Sequence, residues 1–444
     1  MQRLNKIIAW MGLTAFTLPV MAQERHEFSL QQALDYAKKN NVKVKNALLD
    51  IQIQEQTNRG ITAGALPTLS GTVSLTDYLK IPTTLIPSQF FGGPAGSFDA
   101  VQFGTKYNAS GGLSLSQTLF DGQVFVGLQA RSTSIAAIQK TEEITEETIR
   151  ANIYKIYYQL VVSKKQLDLT DANIARQAKL QHDTKAMYDN GFKEKLDMDK
   201  LDVQMANLQT ERQTALNSMN NGYLGLKVLL GMPIKDALVL TDSVSDNQVR
   251  EGALELGTFN YKDRRDYQLN ELQIKLNEYN VKRYKLSYIP VLSFNASYTK
   301  NAQRSEFDFF KGGSWYTTSL IGLNLSIPIF DGFAKDANIK KAKLQVRQYQ
   351  NQLDDLKITI ESDIETARNN FALAVSTMDY QRKNMALAEN VYDQTKKKYE
   401  AGTGNTTDIN TAETDLKQAQ TNYINAVYSA IVAKVDFLKA TGKL

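Results

Sequence analysis

The sequence contains no cysteine and only two histidines in 444 residues. A cysteine and histidine metal site is therefore excluded, as are disulfides and thiol catalysis. His26 and His182 lie far apart in the chain, and no nucleophile elbow, metal-ligand spacing or convincing glycine-rich phosphate loop accompanies them. Enzyme chemistry has little to stand on, and no cofactor is expected. The formal charge of +5 is too mild to argue for nucleic acid. Beyond the N-terminus, no stretch approaches the ~18 apolar residues of a membrane helix. What remains is 42% hydrophobic and 22% charged, a balance that suits a folded chain.

The N-terminus reads differently. "MQRLNKIIAWMGLTAFTLPVMAQ" has a basic start, an apolar run from Ile7 to Leu18, and Val20-Met21-Ala22 before Gln23. That pattern predicts a secretory signal over 1–22, cleaved after Ala22. The run is too short to span a bilayer.

The chain writes one plan twice. "LSLSQTLFDG" at 113–122 answers "LNLSIPIFDG" at 323–332. "YDNG" at 188–191 answers "YEAG" at 399–402, Asp197 answers Asp408, and Gly231 answers Gly442, all at an offset of 211. "LPTLS" at 66–70 answers "IPVLS" at 289–293 at an offset of 223. The surplus falls in the Phe-, Gly- and Pro-rich stretch 81–100, which reads as a long loop. Matches in the same order indicate an internal duplication.

Each copy reads helix, strand, loop, strand, long helix, Gly turn, helix. In the first copy (23–231), Ser29 and Gln32 form a capping-box start, and the helix should run to about Ala63 before Pro67 ends it. Strands are expected at 69–78 and 113–120, with a loop over 79–107, and in the second copy (263–444) at 291–299 and 320–329, with a loop over 300–318. In each, apolar residues alternate with small polar ones, as Leu69, Val73 and Leu75 do with Ser70, Thr72 and Ser74. The segments 123–188 and 333–399 contain no proline, and as helices each could reach roughly 100 Å. Ile153, Leu160, Leu167 and Ile174 recur every seven residues, as do Ile364, Phe371, Met378, Met385, Tyr392 and Tyr399. That period winds helices together. Return helices are expected over 197–230 and 408–440, and the segment 232–262 lies between the copies.

Four alternating strands can pack as a small water-soluble sandwich or form part of a membrane barrel. Three observations favour the barrel. The polar faces are small and uncharged, as a wet lumen allows. Aromatics, Trp315 and Tyr316 among them, gather at strand ends and loops, where rings suit a bilayer interface. An export signal without a membrane helix suits the outer membrane. Four strands cannot close alone, and an open edge in lipid is not tolerated, so copies of the chain must complete the ring.

The duplicated plan, the Pro-x-Leu-Ser entries at Pro67 and Pro290, the paired Phe-Asp-Gly and the paired Tyr-x-x-Gly together resemble the TolC-type outer membrane efflux proteins, over about residues 28–442. The resemblance implies a mixed α and β membrane protein and a homotrimer. Each chain would give four transmembrane strands to a twelve-stranded β-barrel set in outer membrane lipid, and long antiparallel helices to a periplasmic α-helical barrel, with 232–262 as the crossover and a small belt around the helices. It implies a passive exit duct of a tripartite efflux pump or type I secretion system in a Gram-negative bacterium. The partners would be a periplasmic adaptor (membrane fusion) protein and an inner-membrane transporter. Carried over residue by residue, Asp408, Asp197 and Asp199 become candidates for the periplasmic gate, and Gly191 and Gly402 for adaptor-docking tips. Asp121, Gly122, Asp331 and Gly332 would make the strand-to-helix turns, where a Gly can take a positive φ. At the second tip the chain departs from the family pattern: Gly404 stands where a basic residue can sit, and Thr411 where a second acid can. The rival class is a structural or adhesive coiled-coil stalk, which gives no reason for a second strand-bearing copy.

Overall fold

The computed structural model describes residues 25–245, 249–250 and 259–444. The expected signal over 1–22 and part of the crossover 232–262 lie outside the described residues. In chain order the elements are β1 (Arg25–Phe28), α1 (Leu30–Asn40), α2 (Val42–Ala63), β2 (Thr68–Asp77), β3 (Thr83–Pro87), β4 (Phe98–Gln102), β5 (Tyr107–Phe120), α3 (Gly122–Asp189), α4 (Lys195–Leu230), β6 (Ala237–Leu240), α5 (Arg265–Leu286), β7 (Val291–Arg304), β8 (Tyr316–Ser326), α6 (Ala334–Glu400) and α7 (Thr406–Ala440). They divide into a helical unit, made of residues up to Leu48 with Glu142–Arg265 and Lys357–Leu444, and a strand unit, Leu49–Thr141 with Asp266–Leu356.

In the helical unit, Ser29 Oγ accepts from Gln32 N at 3.3 Å while Gln32 Oε1 accepts from Ser29 N at 2.8 Å, a capping box that satisfies two donors at the start of α1. The single helix expected from here to Ala63 is broken at Asn41. Its buried side chain accepts from Lys43 N at 2.8 Å and donates to Leu229 O at 2.6 Å. Asparagine competes with the helix for backbone partners, so one residue both starts α2 and ties it to α4.

Leu30, Leu34 and Ala37 of α1 pack with Ile153, Tyr157 and Leu160 of α3, Leu226 and Leu230 of α4, and Leu238 and Leu240 of β6. Each fully buried Leu or Ile contributes roughly 1.5–3 kcal/mol. β6 pairs in parallel with β1. Tyr157 locks that pair: its hydroxyl donates to Phe28 O at 2.9 Å and accepts from Asp242 N at 3.3 Å. Burial pushes its phenol up to about 12.

The two copies meet their matched neighbours in space. Gly231 follows α4 at φ +70°, and a Cβ there would run into Asn40 O. Gly442 follows α7 at φ +71°, and a Cβ there would run into Asp263 O. Gly231 and Gly442 match at offset 211, Asn40 and Asp263 at offset 223.

Along α6, Ile364, Phe371, Met378, Tyr392 and Tyr399 are buried on the seven-residue period. Along α3 the pattern changes. Ile153 and Leu160 are buried, but Leu167 and Ile174 are only half-buried, and the buried seam becomes Thr170, Asn173, Gln177, Leu180 and Thr184. The apolar heptad expected through Ile174 thus gives way to a mostly polar one. Its members find partners on facing helices: Asn173 Nδ2 donates to Gln420 Oε1 at 3.1 Å, Gln177 Nε2 to Leu201 O at 3.0 Å, and Thr184 Oγ1 lies 2.8 Å from Tyr399 OH.

The strand unit holds an antiparallel sheet of order β2-β5-β7-β8. β5 starts at Tyr107 and β7 runs to Arg304, so both outlast the lengths expected from alternation. β8 stops at Ser326 rather than 329, just ahead of Pro328, which has no N–H to give a ladder. The expected loop 79–107 carries the hairpin β3–β4, with a short turn at Ser88–Phe91.

Candidate functional site

The sheet sorts its side chains by face. The register sets Leu69 opposite Leu115, Leu115 opposite Ala296, and Ala296 opposite Ile321. Val73, Leu113, Tyr298, Phe294 and Leu323 share that face by parity. The other face carries Ser70, Thr72, Ser114, Ser297 and Asn324. Thr68 Oγ1 donates to Ser116 O across it at 3.2 Å, so that hydroxyl is satisfied within the sheet. A bulge between Thr118 and Phe120 leaves Leu119 unpaired and sets Phe120 opposite Leu292. Phe120, not Leu119, therefore continues the apolar face.

This apolar face is not covered. Val73 is 91% and Ile321 79% exposed. From Leu69 to Leu75 it spans about 20 Å at ~3.4 Å per residue. Asp77, Lys300 and Arg304 gather at one end of the strands, where Tyr107 and Tyr316 begin β5 and β8. Trp315 directly precedes β8, its ring 6.3 Å from Phe309, and Tyr107 meets Phe307 edge-on at 5.7 Å. A one-sided apolar sheet with aromatics and charges at one end fits an outer-membrane strand set. β2 and β8 are its edges, and neither has a partner on its outer side among the described residues.

The two strand-to-helix turns use the same letters differently. Asp121 Oδ1 accepts from Gln123 N at 2.8 Å, and α3 begins at Gly122. Gly122 does not take a positive φ, so it makes no use of the freedom that glycine offers at a turn. Its reason is space, because a Cβ would lie 2.8 Å from Leu286 Cβ. Asp331 Oδ2 accepts from Lys335 N at 2.9 Å, and here Gly332 does take φ +66°, followed by Phe333 at φ +68°. α6 starts only at Ala334.

The helix tips end on Gly191 at φ +79° and Gly402 at φ +74°, both in open space. Gly191 N donates to Tyr188 O at 2.9 Å and Gly402 N to Tyr399 O at 3.0 Å. These bonds close the last turns in the left-handed cap that glycine favours. Asp197 Oδ2 accepts from Glu194 N at 3.3 Å, so it is tied into the start of α4. Asp408 differs: its N–H is capped by Asn405 Oδ1 at 2.7 Å, and its carboxylate is exposed. Asp199 is exposed as well.

Tyr399 joins the tips and carries a role the sequence reading missed. It is buried against Thr184 of α3, and Lys193 of the first tip sits 4.5 Å above its ring. Polar residues at heptad spacing, Thr170, Gln177 and Thr184, were the available signal.

The fold is that of an outer membrane channel of Campylobacter jejuni, CmeC, which superposes with a TM-score of 0.72 at 18% identity over 93% of this chain and 85% of that one. The family profile for outer membrane efflux protein matches residues 262–443. The outer membrane efflux protein BepC of Brucella suis biovar 1 is 21% identical over 427 residues, 94% of this chain and 86% of BepC. The outer membrane protein TolC of Escherichia coli K12 is 21% identical over 359 residues, 77% of this chain and 71% of TolC. Residues 262–443 thus match the outer membrane efflux protein family, and the chain is similar to BepC and TolC over most of its length.

Proposed function

We propose that this chain is an outer membrane exit duct, a conduit rather than an enzyme, that passes substrates outward from a periplasmic adaptor and an inner-membrane transporter. One observation carries the reading: an exposed apolar sheet face with two open edges, β2 and β8. In lipid such edges leave backbone groups unpaired at several kcal/mol each, so the β2 edge of one copy must meet the β8 edge of the next. Three copies would close a twelve-stranded barrel whose polar face lines a wet lumen. The open turns at Gly191 and Gly402 are the proposed adaptor contacts. Asp408, whose carboxylate is exposed, is the proposed gate residue that would repeat three times around the duct, where a ring of carboxylates favours cations. Asp197 and Asp199 are secondary candidates.

The test is conduction. Purified protein in planar bilayers should give discrete channels, and sodium dodecyl sulfate-resistant trimers should be recovered from outer membranes. Ile321→Arg, on the lipid-facing side, should abolish both at a cost of about 2–4 kcal/mol per chain at mid-membrane depth. Trimers that never conduct would leave the stalk reading standing. Normal insertion of the Arg variant would contradict the assignment of the faces.

A further inference from the structure

Glu413 lies on α7, 3% exposed. Neither of its carboxylate oxygens has a hydrogen-bond partner among the described residues, and neither does Asn410 Oδ1 one turn before it. Both residues line a cavity completed by Asn173 of α3 and by Asp199, Val203 and Gln204 of α4. Val203 and Leu196, at the cavity's rim, are exposed, so water reaches it.

The charged and titratable groups facing Glu413 are Arg176 from α3, Asp199 and Lys200 from α4, Tyr392 from α6 and Lys417 on its own helix. Lys417 is committed elsewhere, with its ammonium 2.6 Å from Glu211. Arg176 donates to Asn173 and lies 5.7 Å from the centre of the Tyr392 ring, while its buried Nε has no partner. A carboxyl group without a donor thus sits near a guanidinium with a donor to spare, and the two form no ion pair. A buried carboxylate in that position is costly, and a protonated one costs much less. Burial pushes the carboxyl up to about 7, against the pull of Arg176 and Lys417 in the other direction.

We propose that Glu413 and Arg176 form a proton-controlled latch between α7 and α3. With the proton on Glu413, the guanidinium rests on Asn173 and Tyr392. When the proton leaves to water through the cavity, the guanidinium transfers to the carboxylate and releases both. The contacts among α3, α6 and α7 at this layer therefore change near neutral pH. The latch is present once per chain, because the matched position in the first copy, Asp202, is exposed and accepts from Gln181 at 2.8 Å. Any consequence for conduction rests on the duct reading, but the latch does not, and the following experiment reads the latch alone.

The chain has no cysteine, so Val203→Cys offers a single attachment point at the cavity rim for an environment-sensitive fluorophore. In the purified full-length protein, emission should titrate with a midpoint near 7. Glu413→Gln should abolish the transition. Arg176→Gln should move the midpoint upward, since it removes the positive charge that favours the carboxylate. Leu196→Cys repeats the measurement if the first labelled variant fails to fold. A transition that survives Glu413→Gln, a midpoint unmoved by Arg176→Gln, or no transition between about pH 5 and 9 would each overturn the latch. So would an emission response to magnesium chloride at fixed pH with none to pH, which would make the cavity a cation site.

Discussion

The two copies of the duplicated unit keep some roles and reassign others. Gly231 and Gly442 hold the same left-handed conformation and press on matched backbone, Asn40 and Asp263. Gly122 and Gly332 share the letters Phe-Asp-Gly, yet one is needed for space and the other for its φ. Asp202 is exposed where Glu413 is buried, and Tyr188 is exposed where Tyr399 is buried. A role persists where backbone meets backbone, because both ends of that contact were duplicated together. It diverges where the partner is a side chain, which can change in one copy alone.

The largest expected effect tests the retained role. Gly231→Val and Gly442→Val should each cost several kcal/mol, combining left-handed strain of ~1–2 kcal/mol with backbone overlap. Gly191→Ala and Gly402→Ala, in open space, should lose only the strain. Thermal unfolding of the purified variants gives the ranking, and equal losses at all four positions would break the distinction between packed and open glycines.

Next comes pH. The carboxyl of folded Glu413 sits above the ordinary 4.5, at about 7. Its contribution to stability is therefore complete below about 4.5 and declines as pH rises, because the unfolded chain releases the proton first. The loss levels off once both states are ionised, above about 7. At ~1.4 kcal/mol per unit, the decline amounts to about 3 kcal/mol. Glu413→Gln should flatten this part of the melting-temperature profile, and Asp202→Asn should leave it unchanged. A profile that Asp202→Asn alters as much as Glu413→Gln would erase the contrast between the copies.

The Phe-Asp-Gly turns should separate in a double-mutant cycle. Gly122→Ala and Gly332→Ala are each expected to cost about 1–2 kcal/mol. Leu286→Gly should restore part of the first loss and none of the second, since only Gly122 is crowded by that residue. Rescue of both would mean that one cause acts at both turns.

Smallest is the hydroxyl of Tyr399. Tyr399→Phe loses its bond to Thr184, about 1 kcal/mol, while Tyr188→Phe at the matched exposed position should be neutral. Chemical denaturation resolves a difference of that size, and matching effects would place the two tyrosines in equivalent roles.

The mixed α and β class, the duplication and the one-sided sheet were legible in the sequence because each is a matter of spacing along the chain. Alternation of Leu69, Val73 and Leu75 with Ser70, Thr72 and Ser74 follows from period two, and the buried line Ile364, Phe371 and Met378 from period seven. Glycine at 191 and 402 announced turns because its freedom at positive φ is local. Other features were set by neighbours distant in the chain, and only the tertiary structure decided them. Asn41 breaks a helix because Leu229 O is there to receive it, Gly122 is crowded by Leu286, and Asn173, Gln177 and Thr184 of the polar seam on α3 find partners on α7, α4 and α6. Glu413 looks in the sequence like any other acid on a helix. What sets it apart is burial without a donor, and burial is fixed by which helices pack against it, not by the residues beside it in the chain.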